Sequence, residues 1–142
     1  MLVDANLLLY AVLERSAFHE TAVEWFSQVL QGPRRVGLPW LSLGAFVRIA
    51  TNPRATQPPL SPDEAWSVVE DWLVRPTVWI PEPTEHHADV VGGIIRRHQV
   101  AGNVVTDAQL AALALEHGLT VYSADSDFAR FDEIRWENPV AP

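Results

Sequence analysis

The chain has no cysteine and no lysine among its 142 residues. The first absence excludes disulfide frameworks, thiolate zinc sites and cysteine nucleophiles, and fits a reducing compartment. The second removes the P-loop, whose lysine reaches the phosphates, and argues against phospho-aspartate enzymes, which neutralise their phosphoryl group with a lysine. Glycine is sparse, and its seven occurrences never fall into G-x-G-x-x-G, so a dinucleotide fingerprint is missing as well. The apolar run Leu7–Leu13 is too short to cross a bilayer, and Asp4 with no basic residue before it spoils a secretory leader. A cytoplasmic protein with no membrane partner is the expectation.

What is present fits one globular domain over residues 1–142: 48% of residues are hydrophobic and 20% charged, enough to bury a sizeable core. The net charge of −8 argues against broad adhesion to nucleic acid. Its distribution qualifies that, because no acid lies between Glu24 and Asp63 while Arg34, Arg35, Arg48 and Arg54 fall inside that window. A second acid-free window, between Asp89 and Asp107, holds Arg96 and Arg97. Arginines placed this way can meet phosphate, although charge clusters usually serve solubility.

Hydrophobic periodicity and punctuation predict an α/β order. Strands are expected at Met1–Asp4, Val36–Leu38, Thr77–Ile80, Leu119–Ser123 and, at an edge, Ile134–Trp136. Helices are expected at Asn6–Leu13, His19–Leu30 and Leu41–Ala50, then from a Ser61-Pro62-x-Glu64 capping box to about Val74. Two more follow, one capped by Thr84 and carrying Val90, Val91, Ile94 and Ile95, the other capped by Thr106 and running Asp107–His117 to a stop at Gly118. Alternating strands and helices imply a mainly parallel sheet of four or five strands covered on both faces, with the site beyond its carboxyl edge.

That edge collects acids. Asp4 ends the first strand, Asp125 lies two residues past the fourth, and Asp107 opens the helix that runs back from the edge to feed that strand. Singly, each has an ordinary reading as a helix cap, a dipole partner or, with Asp127, a turn residue. Together they repel and are driven toward protonation unless a cation sits among them. Oxygen ligands without cysteine or a histidine pair point to Mg²⁺ or Mn²⁺, and such a metal suits phosphodiester hydrolysis.

The stretches "MLVDANLLLYA", "GNVVTDAQLAALALEHG" and "TVYSADSDFARF" resemble the three acidic motifs of the PIN-domain ribonucleases, specifically VapC toxins of type II toxin–antitoxin operons. The resemblance covers nearly the whole chain. It implies a PIN-like three-layer α/β/α sandwich and a Mg²⁺-dependent endoribonuclease with Mn²⁺ as a substitute. Asp4, Asp107 and Asp125 take the metal-ligand positions, Asp127 assists, and Ser123 is the supporting polar residue at the substrate side. An RNA substrate, a VapB-type antitoxin as inhibitor and a homodimer or hetero-oligomer are implied with it. One position departs from the pattern: in "LSLGAFVRIATNPR", Ala45 stands where the second-motif glutamate belongs. This leaves a second reading open, a catalytically weak module that binds RNA or antitoxin.

Other side chains are weighed on their own terms. Arg48, one turn from Ala45, is a candidate phosphate contact with a packing role equally open. Trp40, next to Pro39 after a strand, is the one tryptophan of six kept as a groove residue; Trp25, Trp66 and Trp72 read as packed. His86 and His87 are expected to be exposed, and His19, His98 and His117 to cap helix ends or meet solvent.

Overall fold

In a computed structural model describing residues 1–142, five parallel strands form one sheet in the order β3-β2-β1-β4-β5. They are β1 (Leu2–Val3), β2 (Val36–Gly37), β3 (Val78–Trp79), β4 (Val121–Tyr122) and β5 (Trp136–Glu137). The helices are α1 (Ala5–Val12), α2 (His19–Gln31), α3 (Trp40–Ala50), α4 (Pro62–Leu73), α5 (His87–His98) and α6 (Val104–His117), with a short 3-10 helix over Ser126–Arg130. No helix is long and apolar enough to cross a membrane.

Two apolar layers enclose the sheet, and strand alternation assigns each side chain to one of them. Val3, Val36 and Tyr122 join Leu7, Leu8, Phe26, Leu43, Phe46 and Trp72 on the α1–α4 side. Leu2 and Val121 join Ile94, Leu110, Phe128 and Phe131 on the α5–α6 side. Helix α6 lies close to the sheet because Ala108, Ala111, Ala112 and Ala114, all fully covered, keep that face small. At Gly37 the backbone of Met1 and the ring of Pro81 approach so closely that a Cβ would sit 2.9 and 2.8 Å from them. Glycine there lets β1, β2 and the segment after β3 draw together at one place.

Most expected elements are present within a residue or two, and the strands are shorter than expected. Two helix starts differ. Helix α6 begins at Val104 rather than Asp107, behind an Asn103 that makes no side-chain cap, so Thr106 lies inside the helix. Half-burying Val104 and Val105 against the α5–α6 core outweighs the capping preference of threonine. Helix α5 starts at His87 rather than directly after Thr84, whose hydroxyl accepts from the His86 amide at 3.2 Å in the turn leading into the helix and donates to Glu116 at 2.6 Å. The Ser61–Glu64 capping box is formed in both directions, at 3.0 and 2.9 Å.

Candidate metal centre

The carboxyl ends of β1 and β4 are neighbours, with Val3 in register with Tyr122, so the residues that follow them emerge side by side. Asp4 follows β1 and caps α1, its Oδ1 accepting from the Ala5 amide at 2.7 Å. Asp125 caps the 3-10 helix after β4, its Oδ1 accepting from the Asp127 amide at 2.9 Å. Asp107 stands in the first turn of α6, whose N-terminus faces this edge.

Carboxylate oxygens of Asp107, Asp125 and Asp127 lie within 4.8 Å of one another. Asp4 lies outside that trio yet is coupled to it. Burial raises the Asp4 carboxyl above the ordinary range, hydrogen bonds from Ser123 and Ala5 oppose this, and the charge of Asp125 adds to it. Asp107 is pushed up to about 7, first by burial and then by the charges of Asp125, Asp4 and Asp127, with only Arg130 pulling the other way. Arg130 reaches Asp127 at 3.6 Å on the solvent side. Asp107, Asp125 and Asp127, with so little compensation and only oxygen to offer, could hold a hard divalent cation, with Asp4 beside them; no cysteine or histidine intrudes.

Beneath them lies a neutral polar clamp. Ser123, with no exposed surface, donates to Asp4 Oδ2 at 2.7 Å and accepts from the Asp125 amide at 3.0 Å. Expected at the substrate side as a supporting polar residue, it is buried here between two acids and bonded to both. Asn6, expected from sequence only as the first residue of a helix, joins them: its Nδ2 donates to Asp4 Oδ2 at 3.2 Å and Ser123 Oγ at 3.0 Å, while its Oδ1 accepts from the Ala124 amide at 3.2 Å. The signal for it was an amide two residues after an acid at a strand end, where α1's first turn returns it to that acid.

The remaining candidates spread out. Arg48 is exposed in the last turn of α3 and has no ion-pair partner, and Ala45 is half-buried on the same helix with no acid in its place. Trp40 is 47% exposed. Trp66, expected to be packed, is 45% exposed and lies parallel to Trp40, the ring centroids 6.4 Å apart. His87, expected to be exposed, is half-buried, with Nδ1 2.7 Å from Glu116. His98, expected at a solvated end, is 15% exposed and pairs with Glu133 at 2.7 Å.

The PIN domain family model matches residues 1–134. Ribonuclease VapC37 of Mycobacterium tuberculosis is 43% identical over 140 residues, spanning 99% of this chain and 97% of its own. Ribonuclease VapC33 of the same species is 36% identical over 137 residues, spanning 96% of each. Among solved structures, VapBC2 from Rickettsia felis bound to a promoter DNA fragment superposes with TM-score 0.73 at 13% identity over 96% of each chain. VapC20 of Mycobacterium tuberculosis, a Sarcin-Ricin loop cleaving toxin, superposes with TM-score 0.69 at 20% identity over 94% of this chain and 98% of its own. The two superpositions bear on the fold, an α/β/α sandwich about a parallel sheet.

Proposed function

The chain belongs to the PIN domain family, and on that premise we propose that it is the toxin of a type II toxin–antitoxin pair, a divalent-metal-dependent endoribonuclease. Its cation is Mg²⁺, with Mn²⁺ as a substitute, held by Asp4, Asp107 and Asp125 with Asp127 assisting. The observation that carries this reading is the convergence of four aspartates from three distant segments, with Asp107 pushed to about 7 by burial and then by the charges of its neighbours. Such a cation, when bound, supplies an activated water and offsets charge developing on phosphate. Asp107 and Asp125 hold charge at the reacting phosphodiester, and Ser123 and Asn6 fix the Asp4 carboxylate so that it does not turn away. Arg48 contacts the RNA backbone electrostatically. A VapB-type antitoxin inhibits by placing an arginine against the aspartates, where it replaces the cation's charge.

The test is cleavage of a structured RNA with Mg²⁺ or Mn²⁺, compared with EDTA and with the near-isosteric Asp4→Asn and Asp107→Asn variants. Loss of cleavage with EDTA and in both variants is expected; equal cleavage by all three proteins sinks the assignment, since a contaminating nuclease would behave that way. Ala45 favours one second reading, a module that binds RNA without cutting it, which takes over if the parent binds RNA and none of the proteins cleaves.

A further inference from the structure

Beside the acidic cluster, on the same edge of the sheet, is a cavity of about 560 Å³. Pro39 and Trp40, which follow β2, and Pro81 and Glu82, which follow β3, form its rim. His87 of α5 and Gln109 of α6 line it from the helical layer. With β2 next to β1, and β1 next to β4, the cavity and the aspartates are two or three strand spacings apart, roughly 10–15 Å. Helix α6 contributes to both, through Asp107 and Gln109.

Three features prepare this cavity for a flat ligand with a polar edge. Trp66 lies parallel to Trp40, interplanar angle 8°, and fixes that ring, while 47% of Trp40 stays exposed and the ring lines the cavity. Next, the Glu116 side chain is only 1% exposed, yet its carboxyl is held below the ordinary range. Desolvation pushes it up, but hydrogen bonds from His87, the Thr84 hydroxyl and the Thr84 amide, with the His87 charge, pull it further down. A buried carboxylate so satisfied fixes the His87 ring: Nδ1–H donates to Glu116 Oε2 at 2.7 Å, and Nε2 has no partner within the chain. The third feature is negative, in that no arginine lines the cavity and Glu82 repels phosphate there. Its chemistry suits an aromatic face and a hydrogen-bonding edge.

We propose that this cavity is a nucleobase subsite, taking one unpaired base of the RNA stacked on Trp40, with His87, Gln109 and Glu82 at its edge, while the scissile phosphodiester lies at the aspartates. Glu82 accepts from a ring N–H or exocyclic amine, so the base it favours is one that carries them. The proposal rests on the ribonuclease reading for its substrate, but its test does not need cleavage.

The experiment follows the fluorescence anisotropy of a dye-labelled short random-sequence single-stranded RNA in EDTA as the full-length protein is added. A saturable rise is expected, with binding about tenfold weaker in Trp40→Leu and largely restored in Trp40→Phe. With Mg²⁺, KM should rise by the same factor in Trp40→Leu while kcat changes little. Substituting single abasic positions in the substrate should then weaken the parent at one position near the cut and leave Trp40→Leu unaffected there. The proposal is overturned if Trp40→Leu binds RNA like the parent. It is overturned equally if the variant loses affinity only because sedimentation shows that a dimer has come apart, which assigns the Trp40–Trp66 face to a second copy of the chain. If the parent binds in a Trp40-dependent way yet cuts no RNA, the subsite stands and the ribonuclease reading falls.

Discussion

Two groups of side chains in this protein have the geometry to surround a cation, and they differ in what already surrounds them. His98, Asp132 and Glu133 lie within 4.8 Å of one another by their ligand atoms, as do Asp107, Asp125 and Asp127. In the first group Arg97 reaches Asp132 and Glu133 at 2.9 Å each, and His98 Nε2 lies 2.7 Å from Glu133. Those pairs tie α5 to the segment before β5, and the group is complete as it stands. In the second group three carboxylates, with Asp4 beside them, share one peripheral arginine, and burial together with the neighbouring charges pushes Asp107 to about 7. Proximity of acids is common; acids left without counter-charge in a place the fold could have neutralised mark a site that awaits one.

Removing one carboxylate from each group should separate them most widely. Asp107→Asn should lower RNA cleavage at least about 100-fold, whereas Glu133→Gln should leave it within about twofold, measured at saturating Mn²⁺. Similar losses in both would mean that stability and not ligation is being read. A smaller effect tests the clamp under the acids. Asn6→Ala removes the amide that binds Asp4, Ser123 and the Ala124 backbone. It should cut activity about tenfold by weakening Mn²⁺ affinity, with recovery as Mn²⁺ is raised. A defect that added metal does not relieve would assign Asn6 to folding alone.

How far the two groups could be read in advance differs for a physical reason. Asp4, Asp107 and Asp125 were legible because strand ends and the start of a returning helix must share one edge of a parallel sheet, whatever the packing. The actual start of α6 was not legible, since Asn103 and Thr106 both favour a cap position and only the burial of Val104 and Val105 decides between them. Asp107 reaches the edge all the same, because it falls in the first turn. The His98–Glu133 pair was invisible for another reason: its members are 35 residues apart and join two elements whose contact no local pattern encodes. His87 and Glu116, 29 residues apart, escaped in the same way, although an acid on an alanine- and leucine-rich helix was a visible anomaly. Trp66 lies against Trp40 of α3 and stays partly exposed, a pairing that periodicity along α4 alone does not reveal.

Thermal stability separates the groups with opposite signs. Glu133→Gln removes the partner of Arg97 and His98 at a site where Glu133 and His98 are 16% and 15% exposed. It should destabilise by about 1 kcal/mol, a fall in Tm of about 2–4 °C. Asp125→Asn keeps a good cap for the 3-10 helix while removing repulsion, so the metal-free Tm should hold or rise, and the gain on adding Mn²⁺ should shrink. A large loss of metal-free stability in Asp125→Asn would show the acid to be a turn residue first.

The subtlest difference is in pH, and here the sign decides. Asp107 has its folded pKa raised from 3.8 to about 7, so between those values the folded metal-free chain holds a proton that the unfolded chain has released. The contribution of this group to stability is therefore complete below about pH 4 and is lost as pH rises through about 7. Asp4, raised for the same leading reason of burial, acts in the same direction. In EDTA, Tm should decline between about pH 5 and pH 8, and Asp107→Asn should flatten that decline. Saturating Mn²⁺ should reverse it, because a cation binds the deprotonated carboxylates and is displaced by protons at the acid end. A decline that survives both Asp107→Asn and added Mn²⁺ would place the titrating groups elsewhere and remove the physical distinction between the two clusters.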